Sequence, residues 1–349
     1  MLNVTNGKVS VSDLEAYCMR AMLKAGMREE DAQTTADVLV TSDTWGVYTH
    51  GTKQLRPLLI HMRDGGLDPL ANPQIISEGS SWAHVDGHYA MPPVSAVMAM
   101  RTAINKAHQS GIGFSGVYHS SHFGAAGYYA MLAAQSDMIG LAMTNVDPFM
   151  TVPGAKGRVL GTNPITYAIP TGKARPVFLD MATSTVAASK VFAAETLGKP
   201  IPETWIVDRD GKPSTDPSEL LKGGAMQPMA GYKGYGIALL IEILAGVLTG
   251  AAFTTDVKTW IIDTDARINQ GHAFIVLDPQ IMMPIDDFKA RMDELVRRIH
   301  ETPTAPGAQR IYMPGEMEWE RRDDALKTGI PLPEDVLLYL RDMGDDWDL

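Results

Sequence analysis

The stretch Gly113-Phe-Ser-Gly-Val-Tyr-His-Ser120 is a short apolar run that leads directly into the small-residue turn Ser121-His-Phe-Gly-Ala-Ala-Gly127. Residues 128–135 are good helix formers, and Met138-Ile-Gly-Leu-Ala-Met-Thr144 is a second apolar run of strand length. A strand, a helix and a strand this close together predict a parallel βαβ unit. A loop and a further strand should follow before Pro170. The central stretch therefore predicts a mixed α/β fold.

His122 lies on the turn of this unit, at the carboxyl end of its first strand. Open α/β sheets place their binding sites at that edge. Asn145 and Asp147 follow the second strand at the same edge. A titratable imidazole with polar groups from separate segments indicates acid–base chemistry, and a capping or buried histidine is the alternative.

Composition excludes several classes of protein. The chain has 349 residues, of which 45% are hydrophobic and 20% charged, as in a globular protein with two or three lobes. A formal charge of −11 without a basic stripe argues against nucleic-acid binding. Cys18 is the only cysteine, so an intrachain disulfide is impossible and a reducing cytoplasm is expected. The N-terminus has no signal-peptide pattern.

One apolar segment, Tyr235 to Phe253, resembles a membrane span in composition. Glu242 lies at its centre, and glycines and threonines interrupt it. A charge at the middle of a span is costly in lipid. The segment is therefore predicted to be a buried helix, in which Glu242 has a polar partner.

The rest of the chain predicts further helices and strands. Helices are expected over residues 12–26, 29–43, 95–108, 185–197, 285–300 and 333–340. Strands are expected between 73 and 89, over 176–180 and over 272–278, and a hairpin turn at Asp210-Gly211. The C-terminal part before Pro333 shows little periodicity.

Several familiar motifs fail on their context. Gly111-Ile-Gly-Phe-Ser-Gly116 matches the dinucleotide expression G-x-G-x-x-G, but a helix precedes it and a strand follows, which reverses the Rossmann order. The histidine pairs 119/122 and 84/88 lack a third ligand at metal spacing, so no metal site is predicted. No Walker A sequence and no G-x-S-x-G elbow is present.

Seven short stretches between about residues 10 and 321 match one protein family. Each match alone is weak evidence, but the stretches occur in the same order as in that family. They are Gly46-Val-Tyr-Thr-His-Gly51, Ser121-His-Phe-Gly-Ala-Ala-Gly-Tyr-Tyr129, Gly161-Thr-Asn-Pro-Ile165, Phe178-Leu-Asp-Met-Ala-Thr-Ser184, Gly231-Tyr-Lys-Gly-Tyr-Gly236, Asn269-Gln-Gly-His272 and Pro314-Gly-Glu316. Together they resemble the malate/L-lactate dehydrogenase family of the non-Rossmann type. This family is also called sulfolactate dehydrogenase-like, and it includes ureidoglycolate dehydrogenases and cyclic-imine reductases.

The resemblance implies a fold of the L-sulfolactate dehydrogenase-like type, which binds nicotinamide without a Rossmann fingerprint and has a helical N-terminal part. It implies a helical part with substrate and dimer contacts over 1–110, an NAD(P)-binding α/β domain over 111–270, and a C-terminal part over 271–349 that packs back on the first. It also implies a homodimer or a dimer-based assembly that interconverts a small 2-hydroxy acid and a 2-oxo acid, with NAD as the first choice of cofactor over NADP.

Site residues carried over from the family fall into three groups. His50 and His122 are the candidates for proton transfer, with Thr49 beside the first, and His50 is favoured because Asp180 matches the aspartate that orients it. The cofactor contacts are Gly161, Thr162, Asn163, Asp180, Met181, Ala182, Thr183, Lys233, Gly234, Tyr235, Pro314, Gly315 and Glu316. The substrate side comprises Asn145, Asp147 and Asn269.

The chain departs from the family where substrate should bind. The usual serine before the first histidine is Thr49, and a frequent arginine before Gly46 is Trp45. The arginine usually found four residues after the histidine is Gln54, so Lys53 is predicted to supply a point charge for a substrate carboxylate, unless the substrate carries a less acidic group. The Gly-rich loop expected after Asp86-Gly87 reads His-Tyr-Ala-Met-Pro-Pro.

Two other functions are compatible with the same resemblance. One is an NAD(P)H-dependent reductase of a cyclic imine. The other is a catalytically silent ligand-binding homologue, which is disfavoured because His50, His122 and Asp180 all occur together.

Overall fold

The computed structural model describes residues 2–5 and 7–347, without the side chains of 345 and 346. The strands are β1 (Gln74–Glu78), β2 (Trp82–Asp86), β3 (Ile112–Ser120), β4 (Ile139–Thr144), β5 (Ile165–Ile169), β6 (Val177–Met181), β7 (Ile206–Val207), β8 (Pro213–Ser214), β9 (Ala225–Met226) and β10 (Gln270–Leu277). The helices are α1 (Val11–Lys24), α2 (Glu29–Thr44), α3 (Leu55–Arg63), α4 (Pro92–Ser110), α5 (Ala126–Gln135), α6 (Ala188–Thr196), α7 (Tyr232–Ile241), α8 (Ile285–His300), α9 (Glu316–Thr328) and α10 (Glu334–Trp347).

The central sheet has seven strands in the order β1-β2-β3-β10-β4-β5-β6, and β7, β8 and β9 form a separate small sheet. Only the β2–β3 pair of the central sheet is parallel. The predicted mixed α/β class is therefore confirmed, with a mostly antiparallel sheet. Strands β3 and β4 run in the same direction, as the predicted βαβ unit requires, but β10 lies between them and is antiparallel to both.

Two glycines let helices lie directly on the sheet. A Cβ on Gly113 of β3 would lie 1.9 Å from the Ala103 carbonyl oxygen of α4. A Cβ on Gly140 of β4 would lie 2.7 Å from the carbonyl oxygen of Ala130 in α5. The core between sheet and helices is then filled by fully buried side chains such as Phe274.

The N-terminal helices form a second core with the C-terminal helices. Residues of α1, α2 and α3 pack with residues of α10 in one buried cluster, and the Tyr17 hydroxyl donates to the Leu340 carbonyl at 2.6 Å. Helix α9 has no counterpart in the sequence prediction. Its first nine residues are mostly charged and its buried side chains are Trp319 and Ala325, so the apolar period that would reveal a helix is missing.

The central sheet takes strands from all three predicted parts of the chain. Strands β1 and β2 come from 1–110, β3 to β6 from 111–270, and β10 begins at the 270/271 boundary. All three parts thus contribute strands to one sheet. The three-part organisation stays a prediction.

The apolar segment 235–253 differs from its prediction in burial. Helix α7 passes into a π-helical turn, Glu242–Val247, and one side of both is open to solvent: Leu240 is 51% exposed and Val247 is 54% exposed. The prediction of a wholly buried helix is therefore wrong, whereas the predicted polar partners of Glu242 are present. Among the described residues, no helix has the length and apolar character needed to cross a membrane.

Candidate active site

Two histidines from distant parts of the chain meet at one end of the central sheet, beyond the carboxyl terminus of β3. The ring centroids of His50 and His122 lie 5.3 Å apart. His122 is on the loop between β3 and α5, and His50 is on the segment between α2 and α3. The two candidates for proton transfer are thus brought into one place.

Asp43 at the end of α2 holds the segment that carries His50. Its buried carboxylate accepts the Thr52 backbone N–H at 3.0 Å and the Thr52 hydroxyl at 2.6 Å. A Cβ at Gly51 would lie 1.8 Å from Asp43 Oδ1, so this contact requires glycine. Burial raises the pKa of Asp43 to about 7, although the Thr52 hydrogen bonds oppose the shift.

The residues around His50 do not form a continuous helix. Tyr48–His50 and Thr52–Gln54 are two short 3₁₀ turns on either side of Gly51. The Gln54 side chain folds back and donates to the Thr49 carbonyl oxygen, while the Thr49 hydroxyl lies 2.9 Å from His50 Nδ1. Gln54 is therefore not placed one turn of a continuous helix beyond His50.

Lys53 is engaged on the protein surface. Its ammonium lies 2.6 Å from the carboxylate of Asp335 in α10 and 5.5 Å from the ring centre of Tyr339. A substrate carboxylate would have to displace Asp335 to use this charge.

Both imidazoles are held neutral by their surroundings. Burial lowers the pKa of His50, and burial together with the neighbouring His50 and His272 lowers the pKa of His122 to about 3. The Gly124 backbone N–H donates to His122 Nδ1 at 3.4 Å, which places the proton of the neutral ring on Nε2. A neutral imidazole can accept a proton from an alcohol.

Trp260 covers His122 and was not found from the sequence. The two rings are stacked with centroids 4.7 Å apart and planes inclined by 17°. The preceding residue, Thr259, donates its hydroxyl to Asp147 Oδ2 at 3.0 Å. Trp260 lies in a loop without motif or periodicity, so only the fold reveals its position.

Asp180 and His50 have different partners in this structure. Asp180 Oδ2 accepts the Gly127 backbone N–H at 2.7 Å at the start of α5. Surrounding protein raises the pKa of Asp180 to about 6, although the side chain remains accessible to solvent. The orienting role predicted for Asp180 stays a prediction.

Asn145 and Asn163 both bind Glu242. Asn163 Nδ2 lies 2.6 Å from Glu242 Oε2, and Asn145 Nδ2 lies 3.5 Å from Oε1. The Thr254 backbone N–H donates to Oε1 at 2.6 Å. Both asparagines are buried, and their amide groups contact Glu242 in the protein interior.

Asn269 caps a bulge in β3. Gln270 pairs with Ser120 and His272 with Val117, so β3 holds one extra residue, and His119 takes a positive φ of 51°. Asn269 Oδ1 accepts the His119 backbone N–H at 2.7 Å. Its predicted contact with substrate stays a prediction beside this structural role.

The predicted cofactor stretches lie along one surface beside β6. The Thr183 N–H and hydroxyl both donate to the Thr162 carbonyl oxygen at 2.9 Å. Met229 N donates to the Thr183 carbonyl, and Gly234 N donates to the Met229 carbonyl. Phe178 N donates to the Pro314 carbonyl, which brings the fourth stretch to the same strand. Four segments far apart in sequence are thus assembled side by side.

This surface fits a nicotinamide dinucleotide. Helix α7 begins at Tyr232. Among the described residues, no side chain caps it and no atom lies within 4 Å of a Cβ placed at Gly231. An open helix N-terminus next to the exposed Lys233 suits a pyrophosphate. A cavity of about 340 Å³ adjoins Pro314 and Glu316, and its lining combines apolar residues such as Trp319 with charged ones such as Arg175 and Arg310. Its size and lining suit a planar base.

His272 forms a buried support behind His122. Its Nδ1 lies 2.8 Å from the Thr144 hydroxyl and its Nε2 2.9 Å from the Ser120 hydroxyl. Its ring stacks on Phe123 with centroids 4.3 Å apart. Burial lowers the pKa of His272 to about 3. Within the described residues, no group of three or more His, Cys, Asp or Glu side chains could hold a metal ion.

The mixed α/β fold brings two imidazoles together and assembles four further segments around the start of α7, an arrangement compatible with an oxidoreductase. The chain belongs to the malate/L-lactate dehydrogenase family, whose sequence pattern matches residues 9–341. It is therefore an oxidoreductase of the type that acts on a CH–OH group, and the family implies a nicotinamide cofactor and a small-molecule substrate.

Known proteins of several activities resemble it over nearly the full length. Malate dehydrogenase of Pyrococcus horikoshii is 36% identical over 344 residues, covering 97% of this chain and 94% of the relative. Ureidoglycolate dehydrogenase (NAD(+)) of Escherichia coli is 32% identical, covering 95% of each. The Δ1-pyrroline-2-carboxylate/Δ1-piperideine-2-carboxylate reductase of Pseudomonas putida is 30% identical, covering 96% of each.

Solved structures confirm the fold. The sulfolactate dehydrogenase of Methanocaldococcus jannaschii superposes with a TM-score of 0.91 at 35% identity, covering 97% of each chain. The malate dehydrogenase of Pyrococcus horikoshii superposes with a TM-score of 0.89 at 34% identity, covering 100% of this chain and 99% of that chain.

The buried histidines predict a loss of stability in mild acid. Unfolding returns His272 from a pKa of about 3 to an ordinary value of 6.5, so the unfolded chain binds a proton that the folded chain does not. The stabilisation is complete above pH 6.5 and is lost as the pH falls towards 3, by about 1.4 kcal/mol per pH unit and proton. The free energy of unfolding is measured with urea at several pH values. Its slope against pH should be smaller in His272→Gln than in wild type, by the equivalent of about one proton.

The exposed His108→Gln is the matched control for that measurement and should leave the slope unchanged. An equal slope in wild type and His272→Gln would show that His272 does not take up a proton on unfolding.

Proposed function

We propose that this protein interconverts a small 2-hydroxy acid and the corresponding 2-oxo acid with NAD or NADP as hydride carrier. The observation that carries the proposal is the meeting of two imidazoles from distant parts of the chain, His50 and His122, whose ring centroids lie 5.3 Å apart. Family membership supports the reaction class, and the relatives named malate and ureidoglycolate dehydrogenase support a 2-hydroxy acid substrate.

The chain's own residues supply proton transfer, orientation and exclusion of water. His50 removes the hydroxyl proton when the 2-hydroxy acid is oxidised and returns it when the 2-oxo acid is reduced. The Thr49 hydroxyl at His50 Nδ1 fixes the ring and leaves Nε2 for the substrate. His122 donates from Nε2 to the substrate oxygen, and Trp260 shields it from solvent. The bound cofactor supplies the hydride chemistry.

The residues proposed to hold the cofactor are those assembled along β6 and at the start of α7. The N-terminus of α7 and Lys233 would bind the pyrophosphate, Thr162 and Met181 to Thr183 would line the groove, and Pro314 to Glu316 would border the cavity for the base. NAD is the first choice because a close relative is named as NAD(+)-dependent.

A spectroscopic panel tests this proposal. Purified protein is titrated with NADH and with NADPH, following nicotinamide fluorescence, and is then assayed by absorbance with pyruvate, glyoxylate and oxaloacetate. Saturable binding of at least one reduced cofactor and oxidation of it by at least one 2-oxo acid are expected. Absence of binding at millimolar cofactor would overturn the oxidoreductase mechanism.

Variants of the two histidines should separate their roles. His50→Ala removes the acid–base group, so kcat should fall by about 10²–10⁴-fold with cofactor affinity nearly unchanged. His122→Ala removes a hydrogen-bond donor to substrate, so KM should rise as kcat falls. The exposed His108→Ala is the control and should behave as wild type. Near-normal kcat in both His50→Ala and His122→Ala would exclude the pair from proton transfer.

Reduction of a cyclic imine is the second candidate. Lys53 is paired with Asp335 and Gln54 with the Thr49 carbonyl oxygen, but a 2-oxo acid and a cyclic imine carboxylate both carry a carboxylate, so these contacts do not separate the two reactions. A relative named as a Δ1-piperideine-2-carboxylate reductase supports this reading. Adding Δ1-piperideine-2-carboxylate to the panel separates the two, because a much higher kcat/KM for the imine than for all three 2-oxo acids would favour the second.

We also propose that the protein is a homodimer formed through the open side of α7 and its π-helical turn. Leu240, Ile243, Val247 and Leu248 expose between 44% and 59% of their surface there, a contiguous apolar face of the kind that marks an interface. Leu240→Glu should shift the protein from dimer to monomer in sedimentation equilibrium. Leu326→Glu, on the exposed face of α9, is the control, and a wild-type monomer would contradict the proposal.

A cytoplasmic location is proposed on the single, buried Cys18, which needs no oxidising compartment. Fractionation of the native host would contradict it by recovering the activity outside the cytoplasm.

A further inference from the structure

Glu242 is a buried carboxyl group that has no cationic partner among the residues that the structure describes. Its residue is 2% exposed, and no cation of the described residues forms a salt bridge with it. A buried carboxylate is stable only when its oxygens accept hydrogen bonds. Here three N–H groups supply them, from Asn163, Asn145 and the Thr254 backbone.

Every contact in this cluster requires an acceptor at position 242. Asn163 Oδ1 accepts the Val146 backbone N–H, and Asn145 Oδ1 accepts the Gly271 backbone N–H. These bonds fix both amides with Nδ2 towards Glu242. Asn163 Nδ2 also donates to the Ala238 carbonyl, and Asn145 Nδ2 to the Ala252 carbonyl. Both carboxylate oxygens therefore face donors only.

The cluster joins the two sides of the proposed reaction. Asn163 belongs to the stretch 161–163, whose Thr162 carbonyl binds Thr183 on the cofactor surface. Asn145 and Val146 lead into Asp147, which binds the loop that places Trp260 on His122. Thr254 belongs to the segment before that loop. The carboxylate thus ties the cofactor side to the substrate side.

We propose that Glu242 is a positioning residue for hydride transfer, acting through Asn163 and Asn145. Its negative charge holds the loop 161–163 and the loop 145–147 at a fixed separation, so that cofactor and substrate meet at the reacting distance. The proposal rests on the proposed oxidoreductase function. Glu242 is the first residue of the π-helical turn, and such turns occur frequently at functional sites.

Glu242→Gln is the decisive variant. It keeps the size of the side chain, but its NH₂ group must face either Asn163 Nδ2 or the Thr254 and Asn145 donors. Small displacements of reacting groups lower rates by about 10²-fold, so kcat should fall by that order. With the 4-deuterated cofactor, the primary isotope effect on kcat should rise, because hydride transfer becomes slower than the other steps.

A matched core variant separates positioning from stability. Leu14→Ala in α1 destabilises a buried site remote from the cluster and should change neither kcat nor the isotope effect. The assays use NADH with the 2-oxo acid or imine that wild type reduces fastest. Hydrogen exchange supplies a readout without activity, because Glu242→Gln should accelerate exchange at the N–H groups of Val146, Thr254 and Gly271.

Three results would overturn the inference. One is a kcat for Glu242→Gln within twofold of wild type. Another is a loss of activity shared by Leu14→Ala at an unchanged isotope effect, which means general destabilisation. The third is wild-type protein that binds neither NADH nor NADPH, in which case the proposed function fails first, and hydrogen exchange still reports on the cluster itself.

Discussion

The carboxylate of Glu242 is the constraint on which the edge of the central sheet depends. Four separate segments place an amide group or a backbone N–H within reach of it or of its two asparagine partners. A Cβ at Gly271 would lie 1.8 Å from the Ala245 carbonyl, and a Cβ at Gly246 would lie 2.9 Å from Asn145 Nδ2. The approach of these backbones is so close that only glycine fits, and the charge and the glycines together define one arrangement of loops.

The same principle operates at the other side of the histidine pair. Asp43 holds the turn that carries His50, and Gly51 makes room for its carboxylate. One oxygen of Asp43 is buried without a hydrogen-bond partner, which is costly in a folded protein. Such a cost is tolerated where a functional segment must be held in a set position. Each of the two histidines is therefore held by residues outside the pair.

The sequence predicts local features well where a period or a turn signal is strong. The strand, helix and strand around residues 113–144 and the helix 285–300 are present because their apolar patterns match their geometry. The two histidines are also brought together as expected. Features set by distant partners are different. Trp260 is placed by contact with His122, and α9 is stabilised mainly through Trp319, so neither leaves a periodic trace.

Residue roles show the same limit. Asn145, Asn163 and Asn269 stand at the predicted edge, but their amide groups satisfy backbone and carboxylate atoms there. Lys53 points to Asp335, a residue that comes nearly at the end of the chain. Hydrogen-bond partners of this kind depend on tertiary contacts over hundreds of residues, which a local pattern does not contain.

The position of β10 between β3 and β4 has a consequence for folding during synthesis. A ribosome delivers β3 and β4 long before Gln270–Leu277, so two sheet edges with unpaired amides wait for a strand made far downstream. The strands on the two sides of β10 cannot join into one sheet until β10 has left the ribosomal exit tunnel. Open edges of this kind invite pairing with other chains. Until β10 has been synthesised, β3 and β4 therefore each keep one open edge at which another chain could pair.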